Sequence, residues 1–189
     1  MDKGEVIEIA AAEFEAMDFV PAGLVYSVYC RSPLSAYGAH VPASGGDESG
    51  GGGGGVRTTL TLETPTGAGI SNIAVVTDCQ LDFGPTADVQ NAIVATDSVS
   101  YLSVAADPGA RIGPASANCS SAGRVVVMTQ GDVFLPSGLT VNNADFLISG
   151  DLELSPGTTS QSTRYGTSFF VGGQADVAAQ GNWVACDNG

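Results

Sequence analysis

Apolar positions recur along this chain in two rhythms. Over residues 5–19, Val6, Ile9, Ala10 and Phe14 fall at i, i+3, i+4 and i+8 spacings, with Met17 following and acids on the other faces. That spacing predicts a short amphipathic helix, ended before Pro21. Its role is expected to be packing, against the rest of the chain or a partner, rather than chemistry at Glu13 or Glu15. From Leu24 to Tyr29 the period shortens towards two, which predicts a strand running into Cys30. Periodicity then disappears until Val56, and six consecutive glycines, Gly50 to Gly55, close the interval. Such a stretch holds too little apolar surface to order itself and reads as a flexible loop. A phosphate cradle is the disfavoured alternative, because no Gly-Lys-Ser/Thr follows and no helix opens after the glycines.

Beyond Val56 short β signals follow one another, at 58–63, 73–77, 89–95 and 98–105, rich in Val, Ile, Thr and Tyr and separated by Pro, Gly, Asn or Asp. From Arg124 these strands acquire a repeat. Gly131-Asp132-Val133-Phe134-Leu135 returns as Gly150-Asp151-Leu152-Glu153-Leu154, and more loosely as Gly173-Gln174-Ala175-Asp176-Val177. Each copy follows an apolar run: Val125 to Met128, Phe146 to Ile148, Phe169 to Val171. A repeat of this size, made of short strands broken at Gly-Asp corners, suits one coil of a β-solenoid, whose inward side chains are hidden only by stacking on the next coil. The expected fold is mainly β: a solenoid-like (β-helix) or sandwich-like stack of short strands with a short N-terminal helix. Residues 1–30 form a helix-and-strand arm, 31–56 the Gly-rich loop, and 57–189 a β-rich domain with repeat rungs in 124–186.

Composition narrows what such a fold can do. Twenty acids face six bases, for a net charge of −14, and Lys3 is the only lysine. Nucleic-acid binding therefore has no electrostatic footing. Cys30, Cys79, Cys119 and Cys186 are an even number without a C-x-x-C pair, and His40 is the only histidine to help ligate a metal, so two disulfides are favoured, the alternative being reduced, buried thiols in a cytosolic protein. Three connectivities are possible. The pairing expected is Cys119 with Cys186, tying the last rung to the start of the repeat region, and Cys30 with Cys79, fixing the arm. Disulfides imply an extracellular or periplasmic site. No signal peptide opens the chain and no stretch reaches 18 apolar residues, so a leader or anchor is expected to have been removed and direct membrane insertion is not expected.

Candidate chemistry is sparse. Asp132 and Asp151 at the repeated corners invite comparison with calcium-binding solenoids, but the spacing does not match the G-G-x-G-x-D nonapeptide. They are expected to shape turns, the glycine supplying φ > 0 and the aspartate satisfying nearby N–H groups. Asp132, Asp151, Glu153 and Asp176 form a possible paired-acid set, since carboxylates aligned one rung apart would lie about 4.8 Å from one another. Nucleophilic catalysis would have to use His40, beside the glycine run, and no G-x-S-x-G elbow is present. Trp183 and the Phe169-Phe170 pair are expected in the core or its cap. No cofactor or metal is expected, and the chain is read as a non-enzyme.

Residues 111–186 carry a resemblance. Arg111-Ile112-Gly113 precedes Cys119; Ser121-Ala122-Gly123 leads into Val125-Val126-Val127-Met128-Thr129-Gln130-Gly131-Asp132. Leu135-Pro136-Ser137-Gly138-Leu139, Ile148-Ser149-Gly150-Asp151, Tyr165-Gly166-Thr167-Ser168, Val171-Gly172-Gly173 and Cys186 continue it, with Val76-Thr77-Asp78-Cys79 upstream. This pattern resembles the C-terminal region of bacterial Tad (tight adherence, or Flp) pilus assembly proteins of the TadE/TadG type. The resemblance implies a structural or minor component of a surface appendage or adhesion apparatus. Its partners would be other pilus or envelope proteins or further copies of itself, and it has no catalytic residues to carry over. The chain departs from that type in lacking an N-terminal membrane segment and in carrying the helix and glycine run before Arg57. A carbohydrate-binding or carbohydrate-cleaving β-helix is the alternative, and it predicts a groove lined by aligned acids and aromatics.

Overall fold

In a computed structural model, the described residues are 25–28, 30, 59–64, 69–115, 122–155, 163–177 and 182–184. The expected N-terminal helix and Gly-rich loop lie outside them. Sixteen strands follow in chain order: β1 (Val25–Val28), β2 (Thr59–Leu62), β3 (Ile70–Thr77), β4 (Gln80–Phe83), β5 (Asp88–Thr96), β6 (Val104–Ala106), β7 (Arg111–Ile112) and β8 (Val125–Thr129). The second half adds β9 (Val133–Leu135), β10 (Thr140–Asn142), β11 (Ala144–Ile148), β12 (Leu152–Leu154), β13 (Thr163–Tyr165), β14 (Ser168–Val171), β15 (Ala175–Val177) and β16 (Asn182–Val184). All pairings among them are parallel, each strand lying beside its counterpart in the next turn. The result is a β-solenoid of about 4 turns, and the sandwich alternative, which needs antiparallel hairpins, is excluded.

The solenoid is not confined to the second half. β2, β4, β6, β9, β12 and β15 form one 6-stranded sheet, so the strands before Arg124 are rungs of the same stack rather than a separate cap. The expected strand at 98–105 is corrected: only Val104–Ala106 is extended, and 97–103 forms a loop. In the first five strands of this sheet alternation is clean. Leu60, Leu62, Leu81, Phe83, Val104, Val133, Leu135, Leu152 and Leu154 point inward and are buried, while the residues between them face out.

The 10-stranded sheet supplies the other walls. Val75, Val94, Val127 and Phe146 stack inward in register, and Phe146 stacks on Phe169 with ring centroids 4.9 Å apart. Its outward side is also shielded, since Ala74, Ile93, Ala95, Val126 and Met128 form a second buried cluster. A sheet buried on both faces wants apolar residues at every position, which is why Ala92–Ala95 and Val125–Met128 read as unbroken apolar runs.

Corners are made by repeated local chemistry. Where β3 and β5 bend, Asn72 and Asn91 lie side by side with φ of 58° and 44°, and Asn143 repeats the conformation at 46° before β11. Asn enters this left-handed region at less cost than other non-glycine residues. At the next corner Thr77, Thr96 and Thr129 stack, and each hydroxyl accepts from the N–H two residues on, at Cys79, Ser98 and Gly131, over 3.0–3.1 Å.

The Gly-Asp corners lie one above another, but the role of the glycines differs from the expectation. Positive φ occurs at Gly109, Gly113, Gly123, Gly138 and Gly166, not at Gly131, Gly150 or Gly173. These three are needed for close approach instead. A Cβ on Gly150 would sit 2.6 Å from the Gly131 carbonyl carbon, and one on Gly173 would sit 2.7 Å from the Gly150 oxygen.

Candidate functional site

The aspartates of these corners act as braces between rungs. Asp132 Oδ1 accepts the N–H of Asp151, 19 residues on, at 2.8 Å, and Asp151 Oδ1 accepts the N–H of Gln174, 23 residues on, at 2.7 Å. Each carboxylate thereby satisfies a backbone donor of the next turn. Its second oxygen keeps acceptor capacity.

Beside this column runs a second one. In register, Asp82, Ala105, Phe134, Glu153 and Asp176 occupy the outward positions of β4, β6, β9, β12 and β15. Glu153 and Asp176 are exposed and directly opposed, about 4.8 Å apart along the backbone. The loop after β5 rises alongside, and Tyr101 on it is 75% exposed. Tyr101 and the β9, β12 and β15 members of both columns line an open groove of about 490 Å³. Leu102, Val133, Leu152 and Gln174 complete its lining, which contains no Arg, Lys or His. All four acids singled out in the sequence, Asp132, Asp151, Glu153 and Asp176, meet here. Tyr101 and Phe134 were not read as part of a site, because nothing local marks a residue whose role is set by the loop that lifts it.

That loop is firmly held. Ser103 Oγ donates to the Ser98 carbonyl at 2.8 Å and lies 2.6 Å from Thr129 Oγ1. The Ser100 carbonyl accepts from Asp132 N–H at 3.2 Å, and Gln80 Nε2 donates to Ser100 Oγ at 2.9 Å.

A second group of acids sits at the first rungs of the same sheet. Asp82, half-buried, has its carboxyl pushed up to about 6, chiefly by burial and then by the charges of Asp107 and Glu63. On another corner Asp88 is ion-paired with Arg111, whose Nε donates to Oδ1 at 2.8 Å, and its pKa is lowered by that bond.

Cys30 and Cys79 are joined by a disulfide that ties the end of β1 to the turn after β3. Among the described residues the only convergence of three potential metal ligands is Cys30, Asp78 and Cys79, where both sulfurs are committed to that bond. Cys119 and Cys186 lie outside the described residues, as do His40, Glu13 and Glu15. The backbone of Trp183 belongs to β16. Phe169 packs against the core, whereas Phe170, expected with it in the core or cap, is 63% exposed because successive strand residues face opposite ways. No helix among the described residues is long and apolar enough to cross a membrane.

Parallel pairing throughout, stacked corners and a groove on one wall define a β-solenoid protein with a surface cleft. More particularly, residues 53–187 match the family model described as a domain of unknown function, DUF7867, and the chain belongs to that family. Neither a curated protein nor a solved structure matches it. The family match carries no link to Tad or Flp pilus proteins.

Proposed function

We propose that this protein is a structural component of a bacterial surface appendage or adhesion apparatus, exported to the periplasm or cell surface, and that it works through protein–protein contacts at the C-terminal end of its solenoid. The observation that carries this reading is the last rung. β14 and β15 each end their sheet, all three residues of β15 are exposed, and Phe170 and Val177 are 63% and 43% exposed. A sheet end offers a row of backbone donors and acceptors to which a partner adds a strand, and apolar side chains beside it add affinity. This mode needs no catalytic group and is open to a second copy or to another envelope protein. The Tad-type resemblance of residues 111–186 supports the same reading, and the disulfide joining Cys30 and Cys79 supports an oxidising compartment.

The test is genetic and structural together. Deleting the gene from its source bacterium should abolish the appendage or surface attachment. The natural chain should restore it and a Phe170→Lys/Val177→Lys chain should not, although the purified variant melts within about 2 °C of the parent, as exposed substitutions do. Normal appendages and attachment in the deletion strain would overturn the proposal.

A further inference from the structure

We infer that the groove beside β9, β12 and β15 binds an oligosaccharide of amino sugars carrying free ammonium groups. Three independent features of the site point to that chemistry.

The first is an aromatic ring held in solvent. Tyr101 and Val99 are 75% and 70% exposed on a loop whose serines are bonded to β4, to β8 and to the Asp132 corner, so the loop cannot fold down to bury them. A large apolar side chain kept out of the core by a hydrogen-bonded frame is a binding feature more than a packing one. With Phe134 also in the lining, the groove offers two aromatic rings to the C–H faces of pyranose rings.

The second is charge. Four carboxylates line the cleft and no cation does, and in-register like charges such as Glu153 and Asp176 repel. A cationic ligand relieves that repulsion. A bare metal ion does not fit, because no three of these acids bring ligand atoms within 4.8 Å of one another. The cation must be spread along an extended framework, and about 490 Å³ lies within the usual size of a small-ligand site.

The third is the balance of donors and acceptors. Carboxylates only accept, and the Gln174 amide N–H groups and the Tyr101 O–H are the hydrogen-bond donors among the lining side chains. A peptide segment brings as many backbone acceptors as donors and would leave carbonyls facing carboxylates. An amino sugar presents an ammonium and several hydroxyls on each unit, and its repeating units suit acids that repeat from rung to rung.

Isothermal titration with a β-1,4-linked glucosamine tetramer, its fully N-acetylated counterpart and tetralysine separates these features. The glucosamine tetramer should bind at least about tenfold more tightly than either of the others, equivalent to about 1.4 kcal/mol. Tyr101→Ala and, separately, Glu153→Gln/Asp176→Asn should each weaken it by about fivefold or more, with melting temperatures unchanged because all three side chains are exposed. Absence of binding by the glucosamine tetramer overturns the inference. So does equal binding of tetralysine that Tyr101→Ala leaves untouched, which would reduce the groove to general charge attraction.

Discussion

At the scale of single residues, the molecule spends stability on one carboxyl. Asp82 faces outward from β4 yet is half-buried between the acids Asp107 and Glu63, which raises its pKa from 3.8 to about 6. Between those two values the folded chain holds the proton more firmly than the unfolded chain does. Stability therefore falls as pH rises through that window and stays lower above it. Asp82→Asn removes the charge and keeps the shape. It should raise the melting temperature at pH 7.5 by about 2–4 °C, with the gain vanishing near pH 4, where the carboxyl is already neutral. Thermal melts at both pH values decide the matter. An equal gain at the two would show that the proton is not the cause. Asp88 has the opposite sign, since its bond to Arg111 lowers the pKa and the stabilisation is lost on acidification.

At the scale of elements, the corners carry the specificity of the fold, and they were only partly legible. The Gly131 and Gly150 corners announced themselves because Gly-Asp is a visible turn signal, and Gly173-Gln174 followed as a looser copy. The positions aligned with Gly131-Asp132 in the preceding rung are Leu102-Ser103, where a serine bonded to Thr129 replaces the aspartate brace and no glycine marks the turn. Those earlier rungs therefore looked like unrelated strands. A second signal was available: Asn72 and Asn91 stand one 19-residue step apart, the same step as the Gly-Asp corners, and both adopt positive φ. Asparagine is common enough in loops that the spacing is hidden until the register is known. The reason for the glycines was hidden too, because close approach between rungs is a property of two turns and not of one. That reason is testable. Gly150→Ala places a methyl against the backbone of Gly131, which cannot swing aside as a side chain can. It should cost about 2–4 kcal/mol, measured by denaturant unfolding, whereas Ser149→Ala next to it should cost under about 0.5 kcal/mol, as substitutions away from such contacts do. A small loss at Gly150 would mean the rungs can separate locally.

At the scale of the whole molecule, a solenoid has no single centre. Each turn is stabilised by its neighbours, so an interior turn has two sources of burial and a terminal turn has one. β5 and β8 lie between filled rungs, and the five residues of β8 are all buried. In the last rung the positions of Leu152 and Leu154 pass to Ala175 and Val177, which are exposed. The inward Phe169 still stacks on Phe146, and β16 pairs with β13, so this end is held on the walls of β14 and β13 rather than on that of β15. The groove spans this gradient, from Phe134 and Asp132 on a well-packed turn to Asp176 on the loosest one. Local opening free energies should follow the same order, since they track buried contacts. Amide hydrogen exchange should show β15 exchanging at least about tenfold faster than β8, with β12 between them. A ligand in the groove or a strand added to the end should slow β15 far more than β8, because only the terminal rung gains a neighbour. Uniform protection across β8, β12 and β15 in the free protein would mean that the end rung draws stability from contacts other than its stack, and that its edge is closed to a partner.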